Sequence, residues 1–323
     1  MFQQACAIIS LFTNSLLVFL ILKNSPPQLG TYKWLMLYTG LFELIYASLN
    51  IFVEPTIGTF QSVCYLFQDL RKSIFGHDIT LIFILGYSSC FGFSLSIFAS
   101  HFIYRYGVVN ADFKQKYLSG WKQTLLYIVP VCCGVIWGMI CGIALSESSL
   151  KSAFLRMYFQ EAFNLKIEEC VYVASYFWPL DDHGVSYPDT ISFVGIGIMS
   201  LILSSSFSNV IYFGIKCYNY ISQQLGELST QSQAIKSLQA QLFYSLIFQF
   251  AIPCLLMYLP AGTIFMITMF DLGFDMEFPL LSFTVAIYPA IDPLPTIFII
   301  KSYRRGLIGM LTCRKKNQLT TTS

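Results

Sequence analysis

Three histidines, seventeen carboxylates and ten cysteines are the side chains here with the capacity for acid–base, metal or nucleophilic chemistry. Their spacing assembles none of the usual constellations. His77, His101 and His183 form no HExxH pair, and the stretches "HDITLIF" and "DDHGVS" lack the ligand spacing of a zinc site. A GxSxG elbow and a phosphate-binding glycine loop are also missing, so the chain is read as a non-enzyme that needs no metal and no cofactor. His77, Asp181, Asp182 and His183 are read as solvated loop residues. The chemistry lies instead in a few polar groups set among oily neighbours: Asn14, Glu43, His101, Arg105 and Asp292.

The elements that must position them follow from composition. Hydrophobic residues make up 55% of the chain, aromatic residues 17% and charged residues only 11%, which places it among membrane proteins. Apolar runs at about 5–22, 34–53, 80–103, 124–145, 190–214, 242–269 and 278–300 are long enough to cross a bilayer as helices. They are too uniformly apolar for alternating barrel strands. The expected fold is an all-α bundle of seven transmembrane helices forming one domain over 1–323, with a tail at 301–323. The longest connection, 146–189, reads as a loop.

Orientation comes from the cations. Of 19 Lys and Arg residues, fourteen fall in alternate connections near 23–33, 104–123 and 215–241 and in the tail. Arg71, Lys72, Lys151, Arg156 and Lys166 fall on the other side. The cation-rich side is cytoplasmic, so the N-terminus is expected outside and the tail inside. The first run, with Lys23 after it and no basic region before it, reads as a first helix rather than a signal peptide. A net charge of +2 gives no support for nucleic-acid binding. Cys64 and Cys170 are the cysteines placed well into the outer loops; they are either bonded to each other, unpaired, or paired with Cys6. Cys313, beside "RKK", is a palmitoylation candidate.

An ionisable group at bilayer depth costs a few kcal/mol or more, so each of the buried polar residues needs a partner or a role. Asp292 sits between Pro289 and Pro293, where missing backbone donors free carbonyl groups. It is either the polar cap of a proline kink or part of a switch. Asn14 reads as an interhelical hydrogen-bonding group. Arg105 either snorkels to headgroups or contacts a cytoplasmic partner. Pro253 and Pro260 place bends in the sixth helix. Mid-helix lysines are missing, which argues against a retinal Schiff base.

With "HFIYRY" at 101–106, "MYLP" in the sixth helix, "KNSPPQLGTYKWLM" at 23–36, and "YPAIDPL" and "FIIKSYR" in the seventh, the chain resembles the nematode serpentine chemoreceptors of the Str type, a group of olfactory-receptor-like G-protein-coupled receptors. The resemblance spans nearly the whole chain. It implies a plasma-membrane receptor, in a sensory cilium, for a small odorant or soluble cue, acting through a heterotrimeric G protein. It assigns coupling roles to Arg105 and Tyr106, to Asp292 and Pro293, to Asn14, and to Pro260 as hinge. Tyr104 replaces the acidic residue that usually precedes the arginine, Thr296 replaces the tyrosine that usually follows the seventh-helix motif, and Tyr303–Arg305 look like the start of an eighth helix. By depth, Phe91, Phe93, Tyr258 and Phe265 either line an outer pocket or pack the core. The basic inner loops and tail favour anionic membrane lipid. The competing function is a ligand-gated channel or a transporter of a small solute, although the paired broken halves of transporters are missing.

Overall fold

The computed structural model describes residues 2–181, 183–226, 233–272, 276–277 and 279–312. Among them, seven helical spans are long and apolar enough to cross a membrane: Phe2–Asn24, Tyr32–Phe52, His77–Val109, Gly120–Ile143, Thr190–Gln223, Ile235–Met269 and Leu281–Ile299. In chain order the elements begin with α1 (Phe2–Asn24), α2 (Tyr32–Phe52), β1 (Thr56–Phe60), β2 (Val63–Asp69) and α3 (His77–Val109). They continue with α4 (Ala111–Tyr117), α5 (Leu125–Ile143), α6 (Ser149–Phe163), β3 (Cys170–Tyr176) and α7 (Thr190–Gly226). The sixth span is α8 (Gln233–Pro253), a π-helical segment Cys254–Tyr258 and α9 (Leu259–Met269). After β4 (Met276–Glu277), the seventh span is split into α10 (Pro279–Ile291) and α11 (Pro293–Ile299), and α12 (Lys301–Leu311) follows.

The bundle turns the usual pattern of a water-soluble protein inside out. Ile8, Phe12, Ile45, Leu201 and Leu255 are exposed, whereas Asn14, Glu43, His101, Arg105 and Asp292 are buried. That is the partition expected of a multi-pass membrane protein, with apolar side chains turned to lipid and the ionisable groups of the spans turned to the interior. Small residues bring α3 and α5 together: a Cβ added to Gly92 would stand 2.8 Å from the Cys133 carbonyl oxygen and 2.9 Å from the Trp137 Cβ. The backbones approach that closely only because glycine is there.

The connection 146–189, expected as a loop, contains α6 and β3. Ser148 starts α6 by accepting a hydrogen bond from the Lys151 N–H, and Asn164, with φ of 49°, closes it. β3 joins a four-stranded antiparallel sheet in the order β3-β2-β1-β4, which lies across one end of the bundle, called here the sheet end. The opposite end carries α4 and α12. The sheet is covered on both faces. Ile57, Cys64, Val171 and Val173 pack on the bundle, while Val63, Tyr65, Phe67, Cys170 and Tyr172 pack under Leu155 and Phe159 of α6.

This alternation corrects the possible Cys64–Cys170 disulfide. Cys64 lies across from Ser175 and Cys170 across from Asp69, so the two are five positions apart along the ladder, about 17 Å at strand rise, and on opposite faces. A disulfide needs Cα atoms within about 7 Å. Cys6, Cys64 and Cys170 are all free. Burial pushes the thiols of Cys64 and Cys170 up to about 12, so both stay protonated and slow to react. Protein denatured without reductant is therefore expected to be alkylated at both positions. A cross-linked peptide joining them would contradict the register.

Candidate functional site

Below the sheet the bundle encloses a cavity of about 110 Å³. Its roof is the bundle face of the strands, including Cys64, Val173 and Ser175, and its walls include Trp137 of α5, Met199 of α7 and Val285 of α10. Phe91, Tyr258 and Phe265 line it. The lining is almost entirely carbon and sulfur, relieved by the hydroxyls of Ser88, Ser175 and Tyr258. Such a cavity suits a small, mostly apolar molecule with one or two polar atoms.

Phe93 is a correction. It points away from the cavity, stacked on Phe42 at 4.0 Å between ring centroids and tilted against Tyr38. Two positions along α3 from Phe91 is about 200° around the helix, so the two side chains cannot share a wall. The strand residues of the roof were missed because that stretch read as loop.

Tyr258 joins the cavity to the rest of the bundle. Its hydroxyl hydrogen-bonds Ser94 of α3, and its ring meets Phe207 of α7 edge-on. Tyr258 ends the π-helical segment, which lies between Pro253 and Pro260. Here the Leu259 N–H reaches back five residues to the Cys254 carbonyl. One extra residue in the turn, flanked by two residues without N–H groups, makes this the least regular part of the sixth span.

On the far side of Tyr258 from the sheet, a polar cluster explains why an aspartate sits among prolines. Pro293 has no N–H, so the carbonyl of Pro289, four residues back, has lost its helical donor. Asn14 Nδ2 donates to that carbonyl at 2.8 Å, and Thr13 Oγ1 donates to the next one, Ala290, at 3.1 Å. α1 thus repairs the break between α10 and α11. Asp292 Oδ2 accepts from Gln249 Nε2 at 3.3 Å, and Glu43 Oε1 accepts from the Tyr288 hydroxyl at 2.8 Å. Asn14 Oδ1, Glu43 Oε2 and Asp292 Oδ1 are buried without a hydrogen-bond partner around a cavity of about 20 Å³. Acceptors left unsatisfied around one buried cavity are costly until a donor reaches them. Gln249 was not singled out, although it is as misplaced in its oily run as Glu43 is.

The third station is Arg105. His101, one turn earlier, holds hydrogen bonds to Tyr32 (2.9 Å) and Thr39 (2.8 Å) of α2. The Arg105 guanidinium lies 4.0 Å over the Tyr32 ring, and Nη1 donates to Gln239 Oε1 of α8 at 2.8 Å. Its Nε and Nη2 are buried without a partner, and it makes no salt bridge among the described residues. α3 runs on to Val109, so Arg105 lies a turn inside the helix rather than at its rim, and it does not snorkel. Its neighbour Tyr106 turns away, packing on Phe113 and Phe213 and accepting from Asn110 Nδ2. At the same end Tyr303 of α12 hydrogen-bonds Ser25, and the Lys301 N–H donates to Gln241 Oε1. His77, expected as a solvated loop residue, stands in the first turn of α3 against Glu147 at 3.1 Å. Cys313 and Asp182 lie outside the described residues.

The family model described as serpentine type 7TM GPCR chemoreceptor Str matches residues 1–308. The chain is 29% identical to G-protein coupled receptor str-217 of Caenorhabditis elegans over 306 residues, covering 94% of this chain and 87% of that one. It is 26% identical to serpentine receptor class r-10 of the same organism over 303 residues, covering 93% and 86%. The class r-10 receptor of Caenorhabditis briggsae is 25% identical over 312 residues, covering 95% and 89%.

Proposed function

The chain belongs to the Str family of serpentine seven-transmembrane chemoreceptors, and from that premise we propose that it binds a small, mostly apolar chemical cue in the cavity under the sheet and couples that event to a heterotrimeric G protein at the Arg105 end. In this reading the sheet end faces outward and α4 and α12 face the cytoplasm of a plasma membrane, in keeping with the cation bias of the connections. The observation that carries the proposal is that α3 and the sixth span are joined in turn by the cavity wall at Phe91, the Ser94–Tyr258 hydrogen bond and the Arg105–Gln239 latch.

A ligand shifts these contacts only through unequal affinity for their two arrangements. A molecule beside Tyr258 competes with the Ser94 hydrogen bond and presses on the π-helical segment. Repacking there moves α8 relative to α3, and the Arg105–Gln239 contact is what that movement breaks. The freed guanidinium then offers its unpaired N–H groups to carbonyl or carboxylate acceptors of the G protein.

The test is a screen of volatile and water-soluble cues against the receptor in cells carrying a G-protein reporter. An agonist response is expected from small molecules of largely apolar character. Ligand-evoked current with no G-protein signal would overturn the proposal. A second expectation concerns Asp292. Asn at this position keeps an acceptor for Gln249 while removing the charge, so Asp292→Asn is expected to reach the surface and to shift agonist potency by about fivefold or more, within the range of ordinary allosteric couplings. Unchanged potency would show that the charge is dispensable.

A further inference from the structure

We propose that the sheet end carries a second binding site, separate from the apolar cavity, for a small zwitterion: an ammonium and a carboxylate on a compact apolar body, the chemistry of a free α-amino acid. A cavity of about 220 Å³, twice the volume of the apolar one, opens between the end of α2, strand β2 and the end of α6. Its walls mix Glu54, Gln68, Asp69, Arg71 and Lys72 with the rings of Phe67 and Phe163.

One wall residue asks for a donor. Gln68 is buried at 4% exposure, and its Nε2 donates to the Phe52 carbonyl at 2.8 Å, which settles which end of the amide is which. Its Oε1 is left buried with no hydrogen-bond partner. An unpartnered acceptor on a residue that lines a polar cavity fits an N–H donor, and an ammonium is the strongest available.

The charges decide what else the molecule carries. Asp69 is already taken: Arg71 Nε and Nη2 each hold it at 3.0 Å, and the Arg71 N–H adds a third contact at 2.9 Å. Burial pushes the Asp69 carboxyl up, but these hydrogen bonds outweigh it and hold the group below its usual range. Arg71 is further occupied by the Asn164 carbonyl at 3.1 Å. That leaves Glu54 and Lys72, neither of which makes a salt bridge among the described residues, although Lys72 also acts electrostatically on Asp69. One free anion and one free cation on the same cavity suit a dipolar guest better than a simple amine or a simple acid, and Phe67 and Phe163 provide the apolar contact.

The site does not depend on the signalling role, so its test uses binding alone. Full-length receptor purified into lipid nanodiscs is titrated with L-leucine and followed by thermal denaturation. A saturable rise in Tm is expected, because a ligand bound only by the native state stabilises it by mass action. Isoamylamine, lacking the carboxylate, and 4-methylpentanoate, lacking the ammonium, are expected to need at least about ten times the concentration, the worth of one charge-assisted contact. Glu54→Gln and Lys72→Met, both on the rim of the fold, are each expected to raise the half-saturating concentration about tenfold. Gly262→Leu, which lies in the apolar cavity, is expected to leave it unchanged. No Tm rise with leucine, full potency of the amine alone, or undiminished binding in both charge variants would overturn the proposal. So would loss of leucine binding in Gly262→Leu, which would move the amino acid into the apolar cavity.

Discussion

Replacing Arg105 with alanine is expected to cut agonist-driven G-protein signalling to below about a tenth of wild type while leaving the receptor at the cell surface. A tenfold loss corresponds to about 1.4 kcal/mol of coupling, well within what one charge-assisted contact supplies. Arg105 is buried, unpaired by any described acid, and retains two orphan nitrogens beside its single bond to Gln239. Those nitrogens are costly in the arrangement described here and become satisfied once an acceptor from a partner reaches them. Removing the side chain costs the fold little, since the Tyr32 ring and Gln239 lose one contact each, but it removes the donor that the coupled state gains. Gln239→Ala is expected to have the opposite sign: with the latch gone, basal signalling rises. Reporter assays with surface staining check both. Undiminished signalling from Arg105→Ala would withdraw the role assigned to it.

Filling the apolar cavity is expected to separate stability from response. Gly262 lines the cavity, and a Cβ added to it meets no heavy atom within 4 Å. Gly262→Leu replaces a helix-weakening residue with a helix former, a gain of about 0.5–1 kcal/mol, and its side chain occupies part of a space of about 110 Å³. Thermal stability of the purified receptor is expected to hold or rise, while agonist potency falls at least about tenfold. Wild-type potency in a variant that folds would mean that the cue binds elsewhere.

The helices were legible because lipid imposes a simple code: about 20 apolar residues, with polar exceptions that demand an explanation. That code singled out Asp292, Asn14 and Arg105, and the structure gives each a partner. It did not reach the sheet. Strands covered on both faces lose their polar alternation, so "VCYLFQ" and "CVYVASY" carry no period of two to read. The roof of the cavity was hidden for that reason, and so was the register that separates Cys64 from Cys170. Phe93 failed differently: depth along a helix is visible in a sequence, but which way a residue faces inside a bundle buried all round is not. The third span's extension to Val109 was obscured by its polar last turns, where "YRYGVV" reads as the start of a connection. The π-helical segment left only its two flanking prolines as a trace.

The proposed signalling role requires the sheet end to face outward and the tail to lie in the cytosol. An epitope appended after Ser323, probed with antibody on intact and permeabilised cells, tests that directly. Staining only after permeabilisation is the expected result. Staining of intact cells would place Arg105 and α12 on the wrong side of the membrane for any G protein and would contradict the account.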